Sequence, residues 1–127
     1  MRVLIVDDEE STRLLLARLV SSELGVDAQL AGTCEQALRL AETTTYDAIL
    51  LDLLMPGIGG FAVLNEIRAS PANAATPVII VSVVAEQETI DGCLAAGASA
   101  YHVKPVRRAE LIETVKAQLA RAKSVTR

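Results

Sequence analysis

Two kinds of apolar segment alternate along the chain. Val3-Leu4-Ile5-Val6, Ala48-Ile49-Leu50-Leu51 and Val78-Ile79-Ile80-Val81 are short continuous runs. Such runs, ending at polar residues, fit strands buried on both faces. Between them lie stretches whose apolar positions recur three and four apart, the spacing of one helix face. Ser11–Leu24 is the first, with a stripe read as Leu14, Leu15, Leu19 and Val20, and Gly25 stands where a helix closes. Val26–Ala31 alternates weakly and reads as a second strand. Thr33–Glu42 reads as a helix with Ala37, Leu38 and Ala41 inward. Thr33 suits its N-cap, and Gln36 sits three residues on, as in a capping box. After the Met55–Gly60 loop, Phe61, Leu64 and Ile67 mark a third helix, and Ser70–Thr76 is a small polar loop. The fourth strand ends in Ser82. A helix over Glu86–Ala96 stops at Gly97, and Ala98–Val103 is a short fifth strand. Leu111, Ile112, Val115 and Leu119 stripe a final helix over Arg107–Lys123. Five strand–helix pairs with strands apolar on both faces predict an α/β fold, a doubly wound parallel sheet covered by helices on both sides.

Composition narrows the picture. The 127 residues, 51% apolar and 22% charged, suit one domain with a filled core. The expected domain is 1–123, leaving 124–127 as a polar tail or the start of a linker. No apolar run reaches 18 residues, so no membrane span is expected, and the N-terminus reads as no signal peptide. The expected location is the cytoplasm. Net charge is −4, which argues against a uniformly basic nucleic-acid-binding surface. Cys34 and Cys93 lie in no metal-binding pattern and read as free buried thiols. His102 stands without companion ligands and reads as an exposed strand residue; Arg107-Arg108 reads as a solvated helix start.

In an open parallel sheet the carboxyl ends of the strands form the ligand site. Strand one there ends in Asp7-Asp8, strand three in Asp52 and strand four in Ser82, and strand five is followed by Lys104. Three carboxylates this close repel one another unless a cation compensates. Oxygen-only ligands suit a hard cation, Mg²⁺ first, with Mn²⁺ as a substitute. Lysine adds a mobile point charge and serine a hydroxyl donor. The set fits a site for a phosphoryl group carried by Asp52.

These residues, with the Met55-Pro56-Gly57 loop, Lys104-Pro105 and Tyr101 three residues before the lysine, resemble the receiver domain of bacterial two-component response regulators. The resemblance covers about residues 2–122. It implies a five-stranded flavodoxin-like sheet of order 2-1-3-4-5. It also implies a role: a phosphorylation-switched module of a phosphorelay, taking phosphate from a histidine kinase's phosphohistidine onto Asp52. Asp8 would bind Mg²⁺ directly, Asp7 directly or through water, and the Leu54 carbonyl would add a ligand. Lys104 would pair with Asp52 and then with the phosphoryl group. Ser82 would be drawn to a phosphoryl oxygen, and Tyr101 would turn into the space it leaves, repacking the face of helix four, strand five and helix five. The Lys104-Pro105 bond is expected to be cis. The implied partners are a sensor histidine kinase or phosphotransfer protein and a downstream effector, with a phosphorylation-dependent homodimer left open. Direct nucleic-acid or membrane binding is not expected. Such a domain catalyses only its own phosphorylation and dephosphorylation.

Some positions depart from the family's pattern. Val83 follows the switch serine where Ala or Gly is usual, and Gly59 stands where an acid is common. Leu54 and Val84 replace polar groups that influence dephosphorylation, so slow self-hydrolysis is expected. Ser99-Ala100 stands where winged-helix regulators carry Asp-Asp, which weakens the case for their style of dimer. Other functions fit less well. A haloacid-dehalogenase-type phosphatase needs Asp-x-Asp, and here the run is Asp52-Leu53-Leu54. A flavin phosphate would be repelled by Asp7-Asp8-Glu9-Glu10. A receiver-like module that binds partners without phosphorylation is the remaining alternative.

Overall fold

The computed structural model describes residues 1–125, and side chains through Arg121. Five strands, β1 (Arg2–Val6), β2 (Asp27–Ala31), β3 (Ala48–Leu51), β4 (Val78–Ser82) and β5 (Ala100–Val103), form one parallel sheet in the order β2-β1-β3-β4-β5. Five helices alternate with them: α1 (Glu10–Leu24), α2 (Cys34–Thr43), α3 (Gly59–Ala69), α4 (Gln87–Ala95) and α5 (Arg108–Val125). The fold class and strand order are those expected.

The central strands are apolar over Val3–Val6, Ala48–Leu51 and Val78–Val81, as fits their having both faces covered. Val3, Ile5, Leu50, Ile79 and Val81 face α1 and α5, packing on Leu16, Val20, Leu111 and Val115. Leu4, Val6, Ile49, Leu51 and Ile80 face the other way, onto Ala37, Ala41, Val63, Leu64 and Cys93. One residue of shift would exchange these faces, so the pleat fixes which strand residue meets which helix. Both cysteines are free and buried.

Local signals set the helix ends. Gly25 closes α1 in the left-handed conformation, φ 63°, which glycine adopts without a Cβ penalty. Thr33 Oγ1 accepts from the Gln36 backbone N–H (3.1 Å). The Gln36 side chain reaches back to the Gly32 N–H (3.0 Å), one residue before the donor a capping box would use.

The structure corrects three expectations. The α1 stripe runs through Leu16 and Val20, whereas Leu14 and Leu15 are 45% and 62% exposed. The run Leu14-Leu15-Leu16 fits several helical phases, and only Leu16 lies one turn before Val20 on the sheet side. His102 is half-buried rather than exposed, with Nε2 2.8 Å from the Thr114 hydroxyl of α5. The final helix continues to Val125, so residues 124 and 125 are helical rather than a polar tail. No glycine or proline intervenes to stop it. Residues 126 and 127 of the expected tail lie outside the described residues.

Candidate functional site

The strand ends deliver the carboxylates. The Asp52 N–H donates to Val6 O (2.9 Å), and the Asp7 N–H donates to Ala31 O (3.2 Å). Each aspartate thus stands one residue past its strand while still tied to the neighbouring one. Asp7 and Asp52 are buried and Asp8 is exposed. Ligand oxygens of all three lie within 4.8 Å of one another.

The two buried carboxylates use their oxygens alike. Asp7 Oδ1 accepts the Glu9 N–H (2.9 Å) and Asp52 Oδ1 accepts the Leu54 N–H (3.2 Å), each two residues on. These are Asx turns, which fix each side chain to its own loop. Both Oδ2 atoms face Lys104, whose Nζ lies 2.8 Å from Asp7 and 3.4 Å from Asp52. The lysine is therefore closer to Asp7 than to Asp52. Its own N–H donates to Ser82 O (2.8 Å), which ties the lysine backbone to the end of β4. The Lys104-Pro105 bond is cis, as expected.

Electrostatics here are crowded. Burial pushes the Asp52 carboxyl above the ordinary range; the Lys104 charge opposes this and the Asp7 charge adds to it. Burial pulls the Lys104 ammonium down, but the Asp7 hydrogen bond and the charges of Asp52 and Asp7 outweigh it and carry the amine above a free lysine. One ammonium thus serves two carboxylates, and a third carboxylate, Asp8, stands beside them. Three oxygen donors of this kind, two of them buried, fit a hard divalent cation such as Mg²⁺.

Ser82 and Tyr101 meet at one residue. Ser82 Oγ accepts the Val84 N–H (3.3 Å), and the half-buried Tyr101 hydroxyl donates to Val84 O (2.5 Å). Leu54, Ile58 and Val83 are more than half exposed around the loops that follow β3 and β4. A groove of about 490 Å³, lined in part by Leu53, Leu54, Phe61 and Val84, opens between α3 and α4.

All the residues read from the sequence as strand-end chemistry converge on one end of the sheet. Sequence reasoning missed the parts that hold them there. Arg13 donates from Nη1 to Asp7 O (2.8 Å), pinning the acidic loop from α1. Val84 joins Ser82 to Tyr101 through its backbone alone. Gly60 packs on the Asp52–Leu53 backbone. Backbone contacts leave no side-chain signature, so only Arg13, six residues after Asp7 on a predicted helix, offered any signal.

Comparison with known proteins agrees with this geometry. The sequence profile of the response regulator receiver domain matches residues 3–116. The sensory/regulatory protein RpfC of Xanthomonas campestris is 37% identical over 117 residues, 91% of this chain and 16% of that protein. The cell cycle transcriptional regulator CtrA of Caulobacter vibrioides is 33% identical over 123 residues, 97% of this chain and 52% of that protein. The chain therefore spans from a sixth to a half of the length of these relatives. Among solved structures, the receiver domain of the Pseudomonas aeruginosa sensor histidine kinase PA1611 has a magnesium ion coordinated in its active site cleft. It superposes with a TM-score of 0.85 at 33% identity, covering 94% of this chain and 97% of that one. The signal receiver domain of a Vibrio parahaemolyticus Luxo repressor protein superposes with a TM-score of 0.91 at 29% identity, covering 98% and 94%. With the profile match running over nearly the whole sheet and the acidic strand ends in place, this chain belongs to the receiver domain family of two-component response regulators.

Proposed function

We propose that the chain is a phosphorylation-switched signalling module, with Asp52 as phosphoryl acceptor. The observation that carries this is Lys104 Nζ bridging Oδ2 of Asp7 and Asp52 inside a cluster of three carboxylates. An Asp52 carboxylate oxygen attacks the phosphorus of a histidine kinase's phosphohistidine. The P–N bond breaks, and the electron pair leaves with the imidazole. A Mg²⁺ held by Asp7, Asp8, Asp52 and the Leu54 carbonyl would neutralise charge on the transferring group. Lys104 moves its charge from the carboxylates toward the new phosphoryl oxygens. The Ser82 hydroxyl donates to one of them, and its pull on the Val84 N–H passes to Tyr101 through the same residue. That repacks α4, β5 and α5, the face offered to an effector. The Leu54 and Val84 side chains carry no polar atom to orient a water, so the acyl phosphate is long-lived. The module turns over no separate substrate, and a cytoplasmic kinase and effector are its partners.

The test is incubation of the purified protein with acetyl phosphate and MgCl₂, read by mass. One phosphoryl group appears on Asp52 and is absent from Asp52→Ala. Labelling elsewhere, or none in the wild type, removes the proposal and leaves a partner-binding module independent of phosphate.

A further inference from the structure

We propose that Gly60 is a positioning residue for Asp52, setting where its carboxylate stands relative to Asp7 and Asp8. The inference rests on the reading of Asp52 as phosphoryl acceptor and names a residue that reading does not use. Gly60 is buried at the start of α3, and its N–H donates to Leu53 O (2.9 Å). A Cβ built there would overlap the Asp52 carbonyl oxygen, and would lie 2.5 Å from Leu53 Cα and 2.9 Å from the Asp52 carbonyl carbon. All three are backbone atoms, so no side-chain rotation relieves the overlap.

Asp52 is also tethered by hydrogen bonds of its own. Its N–H is bonded to Val6 O (2.9 Å) and its Oδ1 to the Leu54 N–H (3.2 Å). The Asp52–Leu53 peptide is thus held between β1 and the first turn of α3. A side chain at 60 must either lift α3 or drag this peptide, and with it the carboxylate and the Leu54 backbone. A shift of that order matters because transfer chemistry depends on sub-ångström placement of the nucleophile.

The same loop supplies a control. A Cβ at Gly57 meets nothing within 4 Å, but its φ of 93° makes any side chain strained. Gly57→Ala therefore costs stability without pressing on Asp52. Gly60→Ala and Gly57→Ala are compared with wild type by thermal melting, calorimetric titration with MgCl₂, and acetyl phosphate labelling of Asp52. Both variants melt lower. Only Gly60→Ala weakens Mg²⁺ binding, by about tenfold, and slows labelling, by up to about a hundredfold. A folded Gly60→Ala with wild-type Mg²⁺ affinity and labelling overturns the proposal, and so does an equal loss in Gly57→Ala. If Gly60→Ala has no cooperative melt, Val63→Ala replaces it, loosening the buried underside of the same helix turn. A smaller loss in the same two readouts supports the proposal there, and no loss overturns it. A wild type that takes no label at Asp52 defeats the phosphoryl reading instead, and the Mg²⁺ comparison still decides the role of Gly60.

Discussion

The two ends of the sheet both bury polar side chains, and they satisfy them in opposite ways. At the N-terminal edge of the strands, Asn73 is 1% exposed and uses its whole amide. Its Nδ2 donates to Ala41 O (2.6 Å) and Thr44 O (2.8 Å), while Oδ1 accepts from the Tyr46 N–H (2.8 Å) and the Thr76 hydroxyl (2.9 Å). Each partner of that amide is neutral, and all four of its hydrogen bonds are made. At the C-terminal edge, Asp7 and Asp52 are buried as charges, with Asp8 beside them and one lysine between the first two. A saturated neutral network rigidifies a fold. A cluster with excess charge of one sign is costly until a cation rebalances it. One end secures the structure, and the other holds the imbalance that chemistry can use.

The contrast can be broken first at the neutral end. Asn73→Ala strands the Tyr46 N–H and the Thr44 carbonyl. It leaves Ala41 O only the longer Ser70 hydroxyl contact (3.5 Å), and leaves the Thr76 hydroxyl on Tyr46 O (3.1 Å). The expected loss is about 2–4 kcal/mol in urea unfolding. Asp52 labelling of the folded fraction stays at the wild-type rate. A loss under half a kcal/mol would mean that water replaces the amide (roughly the level of an ordinary surface substitution).

At the charged end, Lys104→Met removes the only cation that, among the described residues, forms a salt bridge with the pair of buried carboxylates. Acetyl phosphate labelling falls about a hundredfold. Unchanged labelling would place the compensating charge elsewhere.

Asp52→Asn sharpens the comparison because it should stabilise. Burial raises the Asp52 carboxyl above its unfolded value, so the folded state favours the neutral form. That favour is fully present at low pH and is lost as pH rises through the folded pKa. At neutral pH the ionised group therefore costs stability. Asparagine removes the charge and keeps an oxygen for the Leu54 N–H. The melting temperature rises by about 3–5 °C for each kcal/mol relieved. A lower melting temperature would show that Lys104 already balances the site.

The smallest effect lies at His102. Burial holds its imidazole below the ordinary histidine value of 6.5, against the opposing charge of Glu110. A lowered histidine stabilises above its unfolded pKa, and that contribution drains away as pH falls through the folded value. His102→Gln should leave stability at pH 8 within about 0.5 kcal/mol. It should also flatten the decline expected of wild type below pH 6.5. An identical decline in both proteins would assign the acid sensitivity to other groups.

Legibility followed the same division. The C-terminal edge was readable because Asp7 and Asp52 each follow a strand that is apolar on both faces, which gives those strand ends away, and Lys104 follows the short fifth strand. The Asn73 network was not, since Ser70–Thr76 reads only as a polar loop. Its partners at 41, 44 and 46 are backbone atoms about thirty positions away. Arg68 is hidden for the same reason. Its guanidinium donates to Gly97 O (3.0 and 2.8 Å), Asn73 O (3.2 Å) and Ala74 O (3.3 Å), bracing α3 against the turn before β5. The α1 phase failed because three consecutive leucines satisfy several helical stripes at once.

By itself the amino-acid sequence determined the alternation of strands and helices, the parallel sheet and the residues at its reactive edge. Those features are written in side-chain type and period. Tertiary structure decided what period cannot encode. It placed Lys104 nearer Asp7 than Asp52, joined Ser82 to Tyr101 through Val84, buried His102 against Thr114, and pressed Gly60 onto the backbone of Asp52. Each is a contact between elements distant in the chain or with a backbone atom, and such contacts exist only once the sheet has brought them together.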